Sequence, residues 1–452
     1  MAVVVPFKGV LYNLEKIDDF SKVTAPPYDI ISPEQQERYY KNSPHNVIRL
    51  ILGKQSPDDS NSDNRYTRAA NFFNKWQEES ILKRDTEPSF YFYHQEFSGQ
   101  GGERVARDGF VGLVRLEDKD KGVVIPHEKT LDKPKADRLK LMEACQTNFS
   151  AIFSLYSDAE DLINQMLKKV IDDVPLLEVT DEDKTLHQLW RVSQRNVLKE
   201  VTLRLKDSPL FIADGHHRYE TALNYRNLEL KKYPQSTGKE SYNYVMMYLT
   251  SMEDEGLVIM PYHRVIKNLK GFDFASFENK LKDFFEIKTF AFNQENRMQV
   301  WNEFNKQLEE NGKKLPAFGM YGYGQNCYHL LVLKREEFLS LTGDEEGSAS
   351  LKKLDVNVIE SIIFKKVLGI TSNDFQQQQN ITYVHDGMKG LELVQAKGYQ
   401  LAFLLNPTKS SEIQDIASRG ETMPQKSTFF YPNLLSGLVI NKIVPGELFE
   451  FS

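Results

Sequence analysis

The stretch SPLFIADGHHRYETALNYR, Ser208 to Arg226, restricts the fold of this chain more than any other. Leu210 to Ala213 form an apolar run that reads as a buried strand ending at Asp214. Gly215 permits a tight turn and a close backbone approach by a ligand. A helix is then expected from His216, with Ala222 and Leu223 on its inner face. The first-turn N–H groups, together with the positive end of the helix dipole, make an anion site. Such an end contributes about 0.3–2 kcal/mol toward a charge, too little to hold a small phosphate compound alone. Arg218, which can bond bidentately to phosphate oxygens, would supply the difference with His216 or His217. The competing reading is a capped helix, with Asp214 as N-cap and both imidazoles solvated. A metal site would use the same residue types, but neighbouring helical positions point about 100° apart. His216 and His217 therefore do not readily share one ion, and no metal ligands are expected.

IPHEKTLDKPKADRL, Ile125 to Leu139, is a second constellation. His127, Glu128 and Lys129 follow a short strand, and Lys133, Lys135 and Arg138 follow them. A carboxylate beside a histidine can serve as a general base toward a hydroxyl, and cations can neutralise phosphate. A solvated charged loop is the alternative. In MPQKSTFFYPNLLSGL, Lys426, Ser427 and Thr428 look like a phosphate-contacting triplet, although no GxxxxGK precedes them. A closing strand and turn would account for the segment equally well. APPYD, with Tyr28 and Asp29, is either a rigid turn or a site wall, and PYHRV places His263 and Arg264 after a strand.

Helical and extended patterns alternate along the 452 residues, so the fold class is α/β, mixed α+β. The stretch PEQQERYYKN reads as a helix opening on Pro33, RYTRAANFFNKWQEESIL as an amphipathic helix, and NVIRLILGK as a strand. SFYFYHQEF and DGFVGLVRLE read as a hairpin, and residues 181–205 as one long polar helix. Three regions are expected. They are an N-terminal α/β region 1–117, a phosphate-binding core 118–270 with an insertion 158–205, and a C-terminal α/β region 271–452. The net charge of −7 argues against nucleic acid as the main partner. No apolar run approaches the ~18 residues of a membrane span, and the N-terminus lacks the pattern of a signal peptide. Two lone cysteines, Cys145 and Cys327, suit a reducing compartment, so a cytoplasmic protein is expected.

The motifs ADGHHRYETAL, IPHEKT, APPYD, LLNP and MPQKSTFFYP resemble, in combination, the family called domain of unknown function 1015. The Gly-x-x-Arg turn formed by Gly215, His216, His217 and Arg218 also resembles that of the ParB/sulfiredoxin superfamily, in particular its free serine kinases. That resemblance implies a ParB/sulfiredoxin-like core with additional N-terminal and C-terminal α/β regions. It also implies Mg²⁺ with ADP or ATP, and phosphate transfer to a free amino acid, L-serine above all. Asp214, His217 and Arg218 would then handle phosphate and Mg²⁺, and Glu128 would be the base, with His127 beside it. Gly215, His216, Lys129, Arg138, Lys426, Ser427 and Thr428 would complete the phosphate and nucleotide contacts. Two further activities fit the same anion site: a phosphatase or nucleotidase, and a nucleotide-responsive binding protein without turnover.

Overall fold

The Phe90–Ser98 strand buries its aromatic residues and then alternates toward an exposed Ser98. This is the pattern of a strand that is covered on both faces at one end and solvated at the other. It pairs antiparallel with Arg104–Arg115, forming the expected hairpin. Both lie in a nine-stranded mixed sheet. From one edge its strands run Val124–Ile125, Leu210–Asp214, Ile152–Tyr156, Tyr244–Ser251, Arg104–Arg115, Phe90–Ser98, Leu186–Val192 and Leu177–Thr180, with Val4–Val5 pairing beside Arg104–Arg115. Tyr244–Ser251 is buried at every position, as a central strand covered on both faces must be.

The computed structural model describes residues 1–449 apart from 100, 129, 131, 343–346, 371–379 and 397. The chain divides into two units. One comprises Met1–Pro126, Thr130–Val258 and Phe430–Ser452; the other comprises His127–Lys129 and Ile259–Phe429. The stretches 1–117 and 118–270 thus share most of one unit. Its main core joins Phe90, Phe110 and Val114 from the first stretch to Ile152, Leu210, Tyr219 and Val245 from the second. The other unit is built on a six-stranded antiparallel sheet. Its strand order is Phe285–Ala291, Cys327–Leu333, Ala317–Gly322, Tyr399–Leu404, His263–Lys267 and Ile381–Val384. Its core packs Trp301, Phe304 and Tyr328 under that sheet.

Local sequence chemistry accounts for several element boundaries. Pro33–Asn42 is helical, with Ser32 as N-cap, a capping box to Gln35 and Pro33 in the first turn. Arg65–Glu78 starts from a capping box between Asn64 and Thr67. Two expectations are corrected. NVIRLILGK contains a short helix, Ile48–Ile51, in which Ile48, Leu50 and Ile51 are all buried; a short, mostly apolar run carries no period that separates helix from strand. Residues 181–205 form the strand Leu186–Val192 followed by the helix Arg195–Leu205. In that strand His187, Leu189 and Val192 are buried with Gln188 and Arg191 between them, so no unbroken apolar run marks it in the sequence.

Candidate functional site

The strand Leu210–Asp214 is buried through Ala213 and delivers Asp214 to its carboxyl end. Gly215 follows at φ 94°, and the helix His216–Lys232 begins at once. Glycine is required here twice over. The left-handed backbone disfavours any side chain, and a Cβ would lie 2.9 Å from Arg218 Cζ. That contact exists because the Arg218 guanidinium folds back across the turn, donating to the Asp214 carboxylate and to Ala151 O. The N-cap is Gly215 with no side-chain bond, so Asp214 is the partner of Arg218 and not the cap. Tyr219 N–H is the donor that reaches Gly215 O, at 3.0 Å. The first-turn N–H groups therefore stay outside the helix's own ladder. His216 is buried and His217 is partly exposed, as adjacent helical positions should diverge. Among the described residues no group of three or more His, Cys, Asp or Glu is placed to hold a metal ion.

Behind this turn lies a cavity of about 60 Å³ whose lining includes Tyr28, Arg138, Arg218 and Thr221. Three separate motifs meet here: APPYD, KADRL and DGHHR. Arg138 Cζ sits 4.0 Å above the Tyr28 ring. Burial pushes the Tyr28 hydroxyl up to about 12; Asp29 and Asp214 add to this, while Arg138 and Arg218 oppose it. Arg138 Nη1 donates to Ile51 O at 2.6 Å, and its guanidinium pairs with Asp137. The segment carrying Tyr28 is fixed by paired backbone bonds between Ala25 and Ser436, at 3.3 and 2.8 Å. Ser436 Oγ in turn lies 2.6 Å from the hydroxyl of Ser150, a residue of the cavity wall. Thr221 is 1% exposed, and its hydroxyl has no hydrogen-bond partner among the described residues. A buried orphan of this kind costs about 1–3 kcal/mol, so its retention calls for an explanation.

The motif helix is anchored by Glu220, which accepts from Thr130 Oγ1 at 2.5 Å, pairs with Lys135 at 3.0 Å and also binds Lys119. Burial alone would raise the Glu220 carboxyl, but these bonds outweigh it and hold the group at about 2. Lys135, one of the cations expected to face a phosphate, is thus engaged with Glu220 and Asp132.

The second cluster lies in the other unit and joins IPHEKT to MPQKST. His127 O accepts from Met423 N at 2.7 Å, and Glu128 bridges Met423 in parallel. Glu128 Oε1 accepts from Ser427 N–H at 3.1 Å and faces Thr428 Oγ1 at 3.5 Å, across 299 and 300 positions of sequence. The fully buried His127 places Nε2 3.0 Å from the same Thr428 hydroxyl. Ser427 Oγ donates to Pro424 O at 2.6 Å. Lys426 takes a left-handed φ of 57°, with Nζ 5.1 Å from the Tyr262 ring centre. Its carbonyl accepts from Arg264 Nη2 at 3.1 Å. Of the residues singled out from the sequence, Lys129 lies outside the described residues.

Residues 4–357 match the family described as "Protein of unknown function (DUF1015)". The chain belongs to that family. No curated protein matches this DUF1015 chain in sequence. Among solved structures it is similar to a point mutant of a free serine kinase in complex with ADP, at 14% identity and a TM-score of 0.36, covering 75% of this chain and 94% of that one. It is similar to SbnI with a C-terminal truncation from Staphylococcus aureus, at 11% identity and a TM-score of 0.35, covering 72% and 85%. A conserved hypothetical protein from Pyrococcus furiosus matches at 15% identity and a TM-score of 0.32, covering 71% and 92%.

Sequence reasoning did not find two residues of the DUF1015 chain. Thr221 sits inside an ordinary helical pattern, and no local signal marks a hydroxyl aimed at a cavity. Asp355 is half-buried in the second unit, where desolvation pushes its carboxyl up to about 7, with Asn406 of the LLNP motif and Arg264 opposing the rise. Its environment is assembled from distant strands, so its own neighbours in sequence do not announce it. Among the described residues no helix is long and apolar enough to cross a membrane.

Proposed function

We propose that the chain is a small-molecule kinase that transfers a phosphoryl group from ADP or ATP to a hydroxyl of a free amino acid, with L-serine the first acceptor to test. The observation that carries this reading is the Gly215 turn. A buried strand ends in a carboxylate, a left-handed glycine follows, and a helix N-terminus opens beside an arginine laid across the turn. Helix N–H groups and a guanidinium at one point suit a phosphate. Gly215, His216 and Arg218 take that contact, and His217 stands at the same helix start. Arg138 is assigned to the adjoining cavity. The arrangement also supports a ParB/sulfiredoxin-like core, since Val124–Ile125 lies parallel to Leu210–Asp214 and Ile152–Tyr156 lies antiparallel on its other side.

In the transfer, the acceptor oxygen bonds to phosphorus as the bond from phosphorus to the leaving nucleotide oxygen breaks. The hydroxyl proton passes to a base, a role proposed for Glu128, whose Oε1 is held by Ser427 N–H. Mg²⁺ is usually held by one or two carboxylates plus the substrate phosphates. The half-exposed Asp214 carboxylate fits that requirement. Bound there, the ion would neutralise charge on the transferred group.

Product analysis by mass spectrometry tests the proposal, using purified chain with Mg²⁺, L-serine and either ADP or ATP. Phosphoserine is expected from the wild type. Arg218→Ala should lose both nucleotide binding and product, whereas Glu128→Gln should lose turnover and keep binding. Free phosphate without a phosphorylated acceptor would replace the kinase with a phosphatase or nucleotidase. Thermal stabilisation by nucleotide with no product would leave a binding protein, its shift following RT ln(1 + [L]/Kd).

A further inference from the structure

We propose that the cavity bounded by Arg138, Arg218 and Thr221 is a binding site for the carboxylate of a small hydroxy acid or amino acid. The inference deepens the kinase reading, on which it rests for the acceptor role of that acid; binding to the cavity is measurable by itself. Three observations carry it. The first is size. About 60 Å³ is room for roughly four to six water-sized atoms at ~10–15 Å³ each, which suits a carboxylate head and its first carbons better than a whole nucleotide. The second is the Thr221 hydroxyl, which lines the cavity, is 1% exposed and has no partner among the described residues. A polar atom held in this way is satisfied when a ligand oxygen enters. The third is the distribution of charge and apolar surface. Arg138 and Arg218 each have one carboxylate partner and one backbone carbonyl partner. A guanidinium carries five N–H donors, more than those partners take up.

The remaining wall includes Leu141, Ile152 and Val245. Thr147, Asn148 and Ser150 are also part of it. A two-oxygen, singly charged group on a short carbon chain matches both halves of the lining. Thr221 would donate to one oxygen, the guanidiniums would face the charge, and the aliphatic side chains would pack on the carbon atoms. Tyr28, stacked on Arg138, holds that guanidinium in place.

The test is calorimetric titration of the full-length chain with L-serine, with inorganic phosphate and with ADP, for wild type, Thr221→Val and Thr221→Ser. L-serine is expected to bind the wild type and Thr221→Ser alike and to bind Thr221→Val at least tenfold more weakly. ADP affinity should stay within twofold in all three. Equal L-serine affinity in Thr221→Val overturns the assignment, as does absence of L-serine binding to the wild type with and without ADP. A parallel loss of ADP or phosphate affinity in Thr221→Val also overturns it, by making the cavity part of the phosphate site. If L-serine binds in a Thr221-dependent way while ADP does not bind, the carboxylate site stands and the kinase reading falls.

Discussion

Two buried threonines, one in each unit, show how differently the two motif clusters are built. Thr428 is 7% exposed, and its hydroxyl lies 3.0 Å from His127 Nε2 and 3.5 Å from Glu128 Oε1. Thr221 is 1% exposed and has no partner among the described residues, although a cavity and two arginines stand beside it. The cluster around Thr428 spends its polar groups on itself: Glu128 on Ser427, Ser427 on Pro424, Arg264 on the carbonyls of Tyr262 and Lys426. The cluster around Thr221 keeps a donor and a cavity in reserve. A protein core normally satisfies its hydroxyls, so the unpaired threonine is the more informative of the two. Internal bonding makes a frame around Thr428, although Arg264 Nε has no hydrogen-bond partner among the described residues, whereas an unpaired hydroxyl that also lines a cavity marks a place prepared for a ligand.

The contrast can be broken most forcefully at Arg264, which is 1% exposed and whose guanidinium burial pulls down from its ordinary range. Arg264→Ala would strand two backbone carbonyls and leave a void beside the Tyr383 ring, 5.4 Å from Arg264 Cζ. A loss of about 3–5 kcal/mol is expected in urea denaturation. A loss under about 1 kcal/mol would show that the second cluster is not the frame described.

Asp355 gives the next largest effect, and its sign follows from burial. Its folded-state carboxyl is raised to about 7 from the ordinary 3.8, so the folded chain holds a proton there that the unfolded chain has released. That contribution is complete below about pH 4 and is lost as pH rises through 7. At about 1.4 kcal/mol per pKa unit the loss amounts to a few kcal/mol. Asp355→Asn should remove this slope, so that the stability difference between variant and wild type grows in the variant's favour from pH 4 to pH 7. A difference that stays flat with pH would remove Asp355 from the account.

The smallest effect tests the contrast most directly, because one substitution is made in both clusters. Thr428→Val discards a partnered hydroxyl and should destabilise by about 1 kcal/mol. Thr221→Val discards an orphan and should be neutral or stabilising by a similar amount. Two shifts of the same sign in thermal denaturation would mean that the Thr221 hydroxyl is satisfied in solution and that the contrast fails.

Much of the first cluster was legible in sequence. The apolar run before Asp214, the glycine and the helical spacing after it were enough to place the strand, the turn and the start of the helix, since each depends on neighbours within a few positions. The helix opening on Pro33 and the hairpin strands were readable for the same reason. The strand expected at NVIRLILGK failed because so short and mostly apolar a run has no period. The partnership of Glu128 with Ser427 was also out of reach, because a hydrogen bond across 299 positions leaves no local mark.

The sequence by itself therefore determined the local units: the mixed α/β class, the left-handed glycine, the helix starts and the residue types able to meet an anion. Periodicity, capping and backbone sterics act over one or two turns of chain. Only the tertiary structure decided which charges are spent and which are kept. It set Arg218 against Asp214 and Lys135 against Glu220, and it stacked Tyr28 on Arg138. It also closed a small cavity around a hydroxyl with no partner among the described residues. Desolvation and pairing depend on what distant segments bring into contact, and that is fixed by packing alone.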